Sequence, residues 1–434
     1  MKFARLGPVD VTPSAARLTG SLRDIGYDFT GALADIVDNS VAAGAREISI
    51  DIHFEGADSY VVIADDGNGM TESELLEALR FGTRRDYELG DLGRYGLGLK
   101  TASLSQCRRV SVITRHSINY RRLAAKTLDL DHILAADRWE VIDPPAGSHC
   151  GVGASHLMEQ PGTVVLWELL DRVLPERNPE GGWARRRLLS LAARTREYLG
   201  MVFHRYLEGT AAASGPLTIS VNGEKVSPWN PFAPLEEHRI ELPPHSLEVT
   251  VGDVCGTVTL QRYVLPPRSR FSSIEEFERM SGPMKWNRQQ GFYIYRADRL
   301  IQHGGWSGIR SVDEHTKFAR ASVDFQTDLD ALFQINVAKM RVALPPEVKT
   351  LLERPIHELC HRADAVYRRE AHHGAKMKAV PEQSTGAPRS KVDASGIATA
   401  MISAALSVGE HDAFGRIMDR LQLDAPEIAD LLGW

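Results

Sequence analysis

The stretch GRYGLGLKTAS, Gly93 to Ser103, crowds Gly93, Gly96 and Gly98 into six positions just before a helix start. A glycine costs about 1 kcal/mol in a helix relative to alanine. Bare backbone at a helix start therefore needs a reason. Phosphate supplies one, because the first helical N–H groups lack partners and the dipole there is positive. The stretch does not fit G-x-x-x-x-G-K-[ST], since Lys100 follows Leu99. It also lacks the acidic residue that a dinucleotide fingerprint carries about 20 residues on. A glycine-rich loop packed on a helix explains it equally well when taken alone.

The flanking sequence supplies the rest. Residues 30–43 carry Leu33, Ile36 and Val37 at helical spacing and stop at Gly44. REISIDIHF alternates as a strand should, and SYVVIADDGNGM is a second strand ending in a turn. TESELLEALRFG opens with Thr71 and Glu74 in capping-box spacing. The polar, glycine-punctuated run TRRDYELGDLGRYG predicts a mobile loop, and LGLKTASLSQC the next helix. Strands are expected at RVSVITR and GTVVLWELL, and a long amphipathic helix from Trp183 to Glu208.

PLTISVNGEKVSPWNPF opens a second region with strand patterns at LTISVNG, LEVTVGD, GTVTLQRYVL, GFYIYRADRLI and ASVDFQ. A helix over 346–369 closes it. The segment 372–393, rich in Pro, Gly, Ser and Lys, predicts a flexible linker, and 394–434 a small helical segment.

Composition sets outer bounds. The chain has 434 residues and a formal net charge of -6, so nothing in the balance demands nucleic acid. Its four cysteines, Cys107, Cys150, Cys255 and Cys360, have no C-x-x-C spacing, against a zinc site or a disulfide scaffold. No signal-peptide core or membrane-length apolar run is present. A cytoplasmic location without membrane partners is the expectation.

Asp35 and Asn39 stand four apart on one helix, so they share a face, with Asp38 partly on it. A carboxylate and an amide so placed suit a magnesium–nucleotide site, the amide coordinating and the carboxylate orienting water. A solvated polar face is the plainer alternative. Asp65 ends an apolar strand, where it could accept an adenine amine, with Gly67 and Gly69 making room for the base; an ordinary Asp/Gly turn is the alternative.

Order and spacing decide between these readings. DIVDN, then DDGNGM, then the loop, then GRYGLGLK, then PGTVVLW resembles the four ATP-binding motifs of the GHKL superfamily of gyrase B, heat-shock chaperones of ninety kilodaltons, histidine kinases and MutL. Past them, LTISVNGEKVSPWNPF, GFYIYRADRLIQHGGWSG and FQINVAKMRVALPPEV resemble the transducer-type domain of MORC-like and MutL-like ATPases. The likeness spans roughly residues 14 to 370. It implies an α/β fold: a GHKL (Bergerat) ATP-binding sandwich, with helices on one face of an open sheet, then a β-rich transducer-type domain and a small helical C-terminus. The expected divisions are 1–210, 211–371, 372–393 and 394–434.

The resemblance implies roles one position at a time. Asp35 stands where the family usually has the glutamate that activates the attacking water. Asn39 matches the magnesium-binding asparagine and Asp65 the adenine-reading aspartate. Thr163 matches the threonine that supports Asp65 through water. Gly67, Gly69 and Met70 would line the adenine pocket. Gly93, Gly96 and Gly98 would hinge the ATP lid, with Gly96, Gly98 and Lys100 beside the phosphates. Lys339, in NVAKMR, holds the place of the transducer lysine that reaches the terminal phosphate. The sequence departs from the family at Asp35, one methylene short, and at Ala42, where many relatives have aspartate.

The implied activity is slow, magnesium-dependent ATP hydrolysis. It would time an ATP-dependent homodimeric clamp whose N-terminal strap, residues 1–20, crosses to the partner. A MORC-like clamp implies DNA, a partner nuclease or helicase, and phage defence as its setting. A protein-remodelling chaperone is the alternative. A histidine kinase fits poorly, because only about 30 residues precede the ATP motifs and no phosphoacceptor hairpin is among them. Arg185, Arg186, Arg187, Arg194 and Arg196 cluster on one expected helix, as a nucleic-acid surface or a solvated face. His361, His372 and His373 lack ligand spacing for a metal.

Overall fold

The computed structural model describes residues 13–24, 26–82, 97–117, 119, 122–174, 179–212, 215–251, 254–330, 332–333 and 342–378, with Phe414, Met418, Arg420 and Gln422. Two compact units divide the chain, Met1–His373 and Gly374–Trp434.

The first unit begins with α1 (Ala15–Arg23) and α2 (Phe29–Ala42). Asp28 caps α2 by accepting from the Gly31 N–H at 2.7 Å, and Gly44, at φ 76°, lets the chain leave it. Next come β1 (Glu47–His53), β2 (Tyr60–Asp65), α3 (Glu72–Leu79) and α4 (Gly98–Leu104). The capping box expected at Thr71 and Glu74 is formed in full. Then follow β3 (Arg109–Arg115), β4 (Ala124–Asp129), α5 (Leu130–Ala136), α6 (Cys150–Ser155), β5 (Gly162–Glu168), α7 (Gly182–Val202) and α8 (His204–Leu207). The expected helix over 183–208 is thus two helices, interrupted at Phe203.

The first sheet runs β4-β3-β5-β2-β1-β6-β7, with β6 (Thr218–Val221) and β7 (Glu224–Lys225) at its edge. Every neighbouring pair is antiparallel except β1 with β6. LTISVNG therefore completes the first sheet instead of opening the second, and a division at 210 falls short of it. One face, with Ile50, Val61, Val112 and Trp167, packs under α2, α4 and α7. Helices are not confined to that face. Val62, Ile113, Val164 and Leu166 form a smaller core on the other face, where α6 packs against β3 and β5.

The second sheet runs β11-β10-β12-β9-β8. Its strands are β8 (Ile240–Val251), β9 (Val254–Val264), β10 (Gly291–Arg296), β11 (Arg299–His303) and β12 (Ala319–Phe325). The helices α9 (Ile274–Met280), α10 (Lys285–Gln289) and α11 (Pro346–Lys378) complete that region. Phe277 and Met280 of α9 and Leu352, Ile356 and Leu359 of α11 share a core with Phe292 and Val323 of the sheet. The helix α11 continues past 369, so residues 372–378 are helical and not linker. Met201 at the end of α7 packs with Tyr293, Tyr295 and Leu300, joining the two sheets.

The expected N-terminal strap, residues 1–20, overlaps α1. Residues Ala15–Arg23 form α1 on their own unit, where Asp137 accepts from the Ser14 hydroxyl at 2.7 Å and the Ala16 N–H at 2.9 Å. Residues 1–12 lie outside the described residues.

Candidate nucleotide site

The helix α2 carries Asp35, Asp38, Asn39 and Ser40 toward the sheet end where β2 delivers Asp65. The Asp65 side chain is 8 % exposed. Its Oδ2 accepts from the Ser40 hydroxyl at 2.7 Å, and its Oδ1 from the N–H groups of Gly67 at 3.0 Å and Thr163 at 3.2 Å. Burial pushes its carboxyl up from the ordinary value, and these three donors pull it back. Thr163 is the cross-strand neighbour of Asp65 on β5, and its hydroxyl lies 3.3 Å from that of Thr114. Thr114 in turn accepts from the Met70 N–H at 2.8 Å.

Glycines around Asp65 are demanded by space. Gly69 has φ 62°, and a Cβ there would overlap the Arg115 carbonyl. Gly162 has φ 150°, and a Cβ there would overlap the carbonyl of Asp65 itself. At Gly67 a Cβ would press on Ala43 and on Asp65 Oδ1 at 3.0 Å. Backbone and carboxylate are thus held in one arrangement.

One turn back along α2, Asp35 and Asp38 are each 1 % exposed, whereas Asn39 is exposed. The Tyr27 hydroxyl donates to Asp35 Oδ2 at 2.6 Å. Burial first, then the Asp35 charge, raise the Tyr27 phenol far above its ordinary value, so it stays a donor. Gly98 brings the start of α4 against the same carboxylate: a Cβ there would lie 3.3 Å from Asp35 Oδ2. From the second sheet, Arg299 donates through Nε to Asp38 Oδ1 at 2.8 Å, and its Nη2 lies 3.8 Å from Asp35 Oδ1.

Lys100 is buried on α4, and its ammonium donates to the Ala78 carbonyl at the end of α3, 2.8 Å away. Burial lowers its pKa to about 8, against a smaller opposing effect of Glu77. Met70 packs partly buried on the main core. Gly93, Gly96 and Lys339 lie outside the described residues. The structure thus links Asp65, Gly67, Thr163 and, through Thr114, Met70 at the β2–β5 end, with Gly69 packed beside them, and sets Gly98 against Asp35 where α4 meets α2; Asn39 is exposed on α2, and the Lys100 ammonium turns to α3.

Four partners were not foreseen. Ser40 sits beside Asn39 in the quoted motif, and only the fold shows it facing Asp65. Thr114 stands one residue before the end of the RVSVITR strand, opposite Thr163. Tyr27 precedes the helix. Arg299 stands 261 residues from Asp38.

Elsewhere, Arg185, Arg186, Arg187 and Arg194 are exposed on α7, while Arg196 pairs with Glu224 at 3.3 Å. A cavity of about 410 Å³ opens at the start of α2, with Arg23, Arg172, Arg187 and Arg194 in its wall. Among the described residues, no three His, Cys, Asp or Glu side chains assemble a metal site. No described helix is long and apolar enough to cross a membrane.

Comparison with known proteins agrees with the motif reading. Residues 27–160 match the family described as histidine kinase-, DNA gyrase B-, and HSP90-like ATPase. The chain is 35% identical over 86 residues to ATPase morc-1 of Caenorhabditis elegans, covering 19% of this chain and 10% of that protein. It is 35% identical over 81 residues to Protein MICRORCHIDIA 5 of Arabidopsis thaliana, covering 17% and 11%. To Protein MICRORCHIDIA 6 of that plant it is 33% identical over 94 residues, covering 20% and 14%. The matched part spans little more than a tenth of these relatives. These matches make the chain GHKL-like and MORC-like over the matched part; the α/β architecture and the β-rich region that follows are seen in the structure.

Proposed function

We propose that the chain binds ATP with magnesium between α2, α4 and the β2–β5 end, hydrolyses it slowly, and uses the cycle to close a homodimeric clamp. The carrying observation is the Asp65 arrangement: a buried carboxylate, fixed by three donors, in a backbone shape that only glycine permits at Gly69 and Gly162. Such a group suits an exocyclic amine, because it remains an acceptor wherever its own donors hold it ionised.

Asp35 is the group that takes the proton from the attacking water. It is one turn from Asn39, against the start of α4, and braced by Tyr27. Asn39 fits magnesium, since it is exposed one turn beyond the buried Asp35. When bound, the metal neutralises phosphate charge. The backbone of Gly98 lies beside the phosphates, Lys100 would have to leave the Ala78 carbonyl to reach them, and the resemblance gives Gly96 and Lys339 phosphate contacts, the latter to the terminal phosphate. Closure on DNA, with a partner nuclease or helicase in phage defence, follows from the MORC-like part of the resemblance, and the exposed arginines of α7 support a DNA-facing surface.

Three measurements test the proposal on the full chain: calorimetry with ATP, phosphate release, and light scattering with a non-hydrolysable analogue. Binding, slow release and analogue-induced dimerisation are expected. Absence of ATP binding sinks the reading. Salt-sensitive DNA retention by the closed form is expected; suppression of client aggregation without DNA binding would transfer the clamp to protein remodelling.

A further inference from the structure

The β10–β11 hairpin turns on Ala297 and Asp298, at φ 45° and 66°. Two successive positive φ values make a type I′ turn, which favours Asn and Gly over alanine. Its surroundings hold it there. The Tyr206 hydroxyl of α8 donates to the Ala297 carbonyl at 2.6 Å. Arg205 pairs with Asp298 at 3.0 Å and with Asp324 of β12. The Ala212 N–H donates to Asp298 Oδ2 at 2.8 Å. The turn of the second sheet is thereby clamped to the end of the α7–α8 segment.

Arg299 is the next residue. Clamping the turn drives its side chain onto α2, where Asp38, Asp35 and Arg299 are each no more than 2 % exposed. Two carboxylates one turn apart in such a place demand a cation. Arg299 supplies it at 2.8 Å from Asp38 and 3.8 Å from Asp35. Among the described residues, Tyr27, Tyr198 of α7 and Tyr206 of α8 feel the charges of this cluster, and burial keeps all three phenols neutral.

We propose that Arg299 is a positioning residue for hydrolysis: shared between Asp38 and Asp35, it holds the Asp35 carboxylate in its aim, so the water-activating group works only while the second sheet is docked. This rests on the role given to Asp35 above. It adds a second route between the regions. Lys339 would report on the nucleotide, whereas Arg299 sets the group that attacks it.

The test uses the full chain. Arg299→Gln should lower both melting temperature and kcat, because it strands two buried carboxylates. The double variant Asp38→Asn with Arg299→Gln removes the closest pair whole. It should recover most of the lost melting temperature, yet remain about tenfold or more below the parent in kcat. Its Kd for a non-hydrolysable analogue should stay within about threefold of the parent. Arg299→Lys, which keeps the charge without the fork, should restore part of kcat. If the double variant regains kcat together with stability, Arg299 is only a structural partner of Asp38 and the inference is overturned. Should Arg299→Gln fail to fold, the double variant still decides. A parent that binds no ATP refutes the proposed function instead, which calorimetry on the unmutated chain reveals separately.

Discussion

Replacing Asp65 with Asn separates binding from folding. The present carboxylate accepts three hydrogen bonds, one on Oδ2 and two on Oδ1. A carboxamide can satisfy all three in one orientation. Its oxygen must face the Gly67 and Thr163 N–H groups, and its NH2 must face Ser40, whose hydroxyl can turn to accept. Burial disfavours the charge at this position, so the neutral side chain gives some stability back. The melting temperature should therefore hold or rise slightly. Binding should behave differently. The remaining oxygen is committed to two backbone donors, and the adenine amine meets an NH2 or a weaker, uncharged acceptor. Losing a charge-assisted hydrogen bond in a closed site costs about 1.5–3 kcal/mol, or roughly ten- to a hundredfold in affinity. Calorimetry with a non-hydrolysable ATP analogue, beside a thermal melt, reads both quantities. Unchanged affinity with an unchanged melt would remove Asp65 from the adenine and, with it, the placement of the base.

Asp35→Ala should bind ATP but scarcely hydrolyse it, and Asp35→Glu should be slower than the parent in phosphate release; full turnover by the alanine variant would pass the role to Asp38. Lys339→Ala should weaken analogue-induced dimerisation by roughly ten- to a hundredfold in light scattering, the worth of one charge-assisted contact made only on closure; a mutant that dimerises like the parent refutes the contact. His204 is buried between Tyr295, 2.9 Å from its Nε2, and Glu208. Burial lowers its pKa despite Glu208, so the unfolded chain takes up the proton first as pH falls through about 6.5. Stability contributed by neutral His204 is present above that pH and lost below it. Melting temperature should drop from pH 7 to pH 5, and His204→Gln should flatten the drop; an equal slope in both proteins would contradict the assignment.

What the sequence disclosed was local. The helix α2, the capped α3 and the strands β1, β2, β3 and β5 announce themselves by caps, periodicity and Gly44. Asp65 and Thr163 meet because β2 and β5 pair there, and Asp35 faces Gly98 because α2 packs on α4. The strand β4 was missed because it is an edge strand whose outer residues Ala124, Ala125 and Lys126 carry little strand signal. β6 was recognisable as a strand but assigned to the wrong sheet. Its register with β1 joins Ile219 to Ile48, a pairing that no local pattern can encode. Arg299 lay in plain sight within YRADRLI, yet nothing nearby in sequence marks it as the partner of Asp38.

The direction expected for Asp35→Glu follows from what surrounds that carboxylate. The shorter side chain would leave a gap of one methylene if the rest of the site were built for glutamate. Among the described residues, three groups limit the space around Asp35. Its Oδ2 is held by Tyr27 at 2.6 Å, and the start of α4 comes so near that even a Cβ on Gly98 would sit 3.3 Å away. Arg299 stands 3.8 Å from the other oxygen. An added methylene would push the carboxylate toward Gly98 or off Tyr27, and a misplacement of about 1 Å can cost about a hundredfold in rate. Tyr27, Gly98 and Arg299 come from three different elements, so relieving the longer side chain would require moving at least one of them. A carboxylate held by Tyr27, with Gly98 and Arg299 this near, is set for its present length, and the longer glutamate should therefore slow hydrolysis.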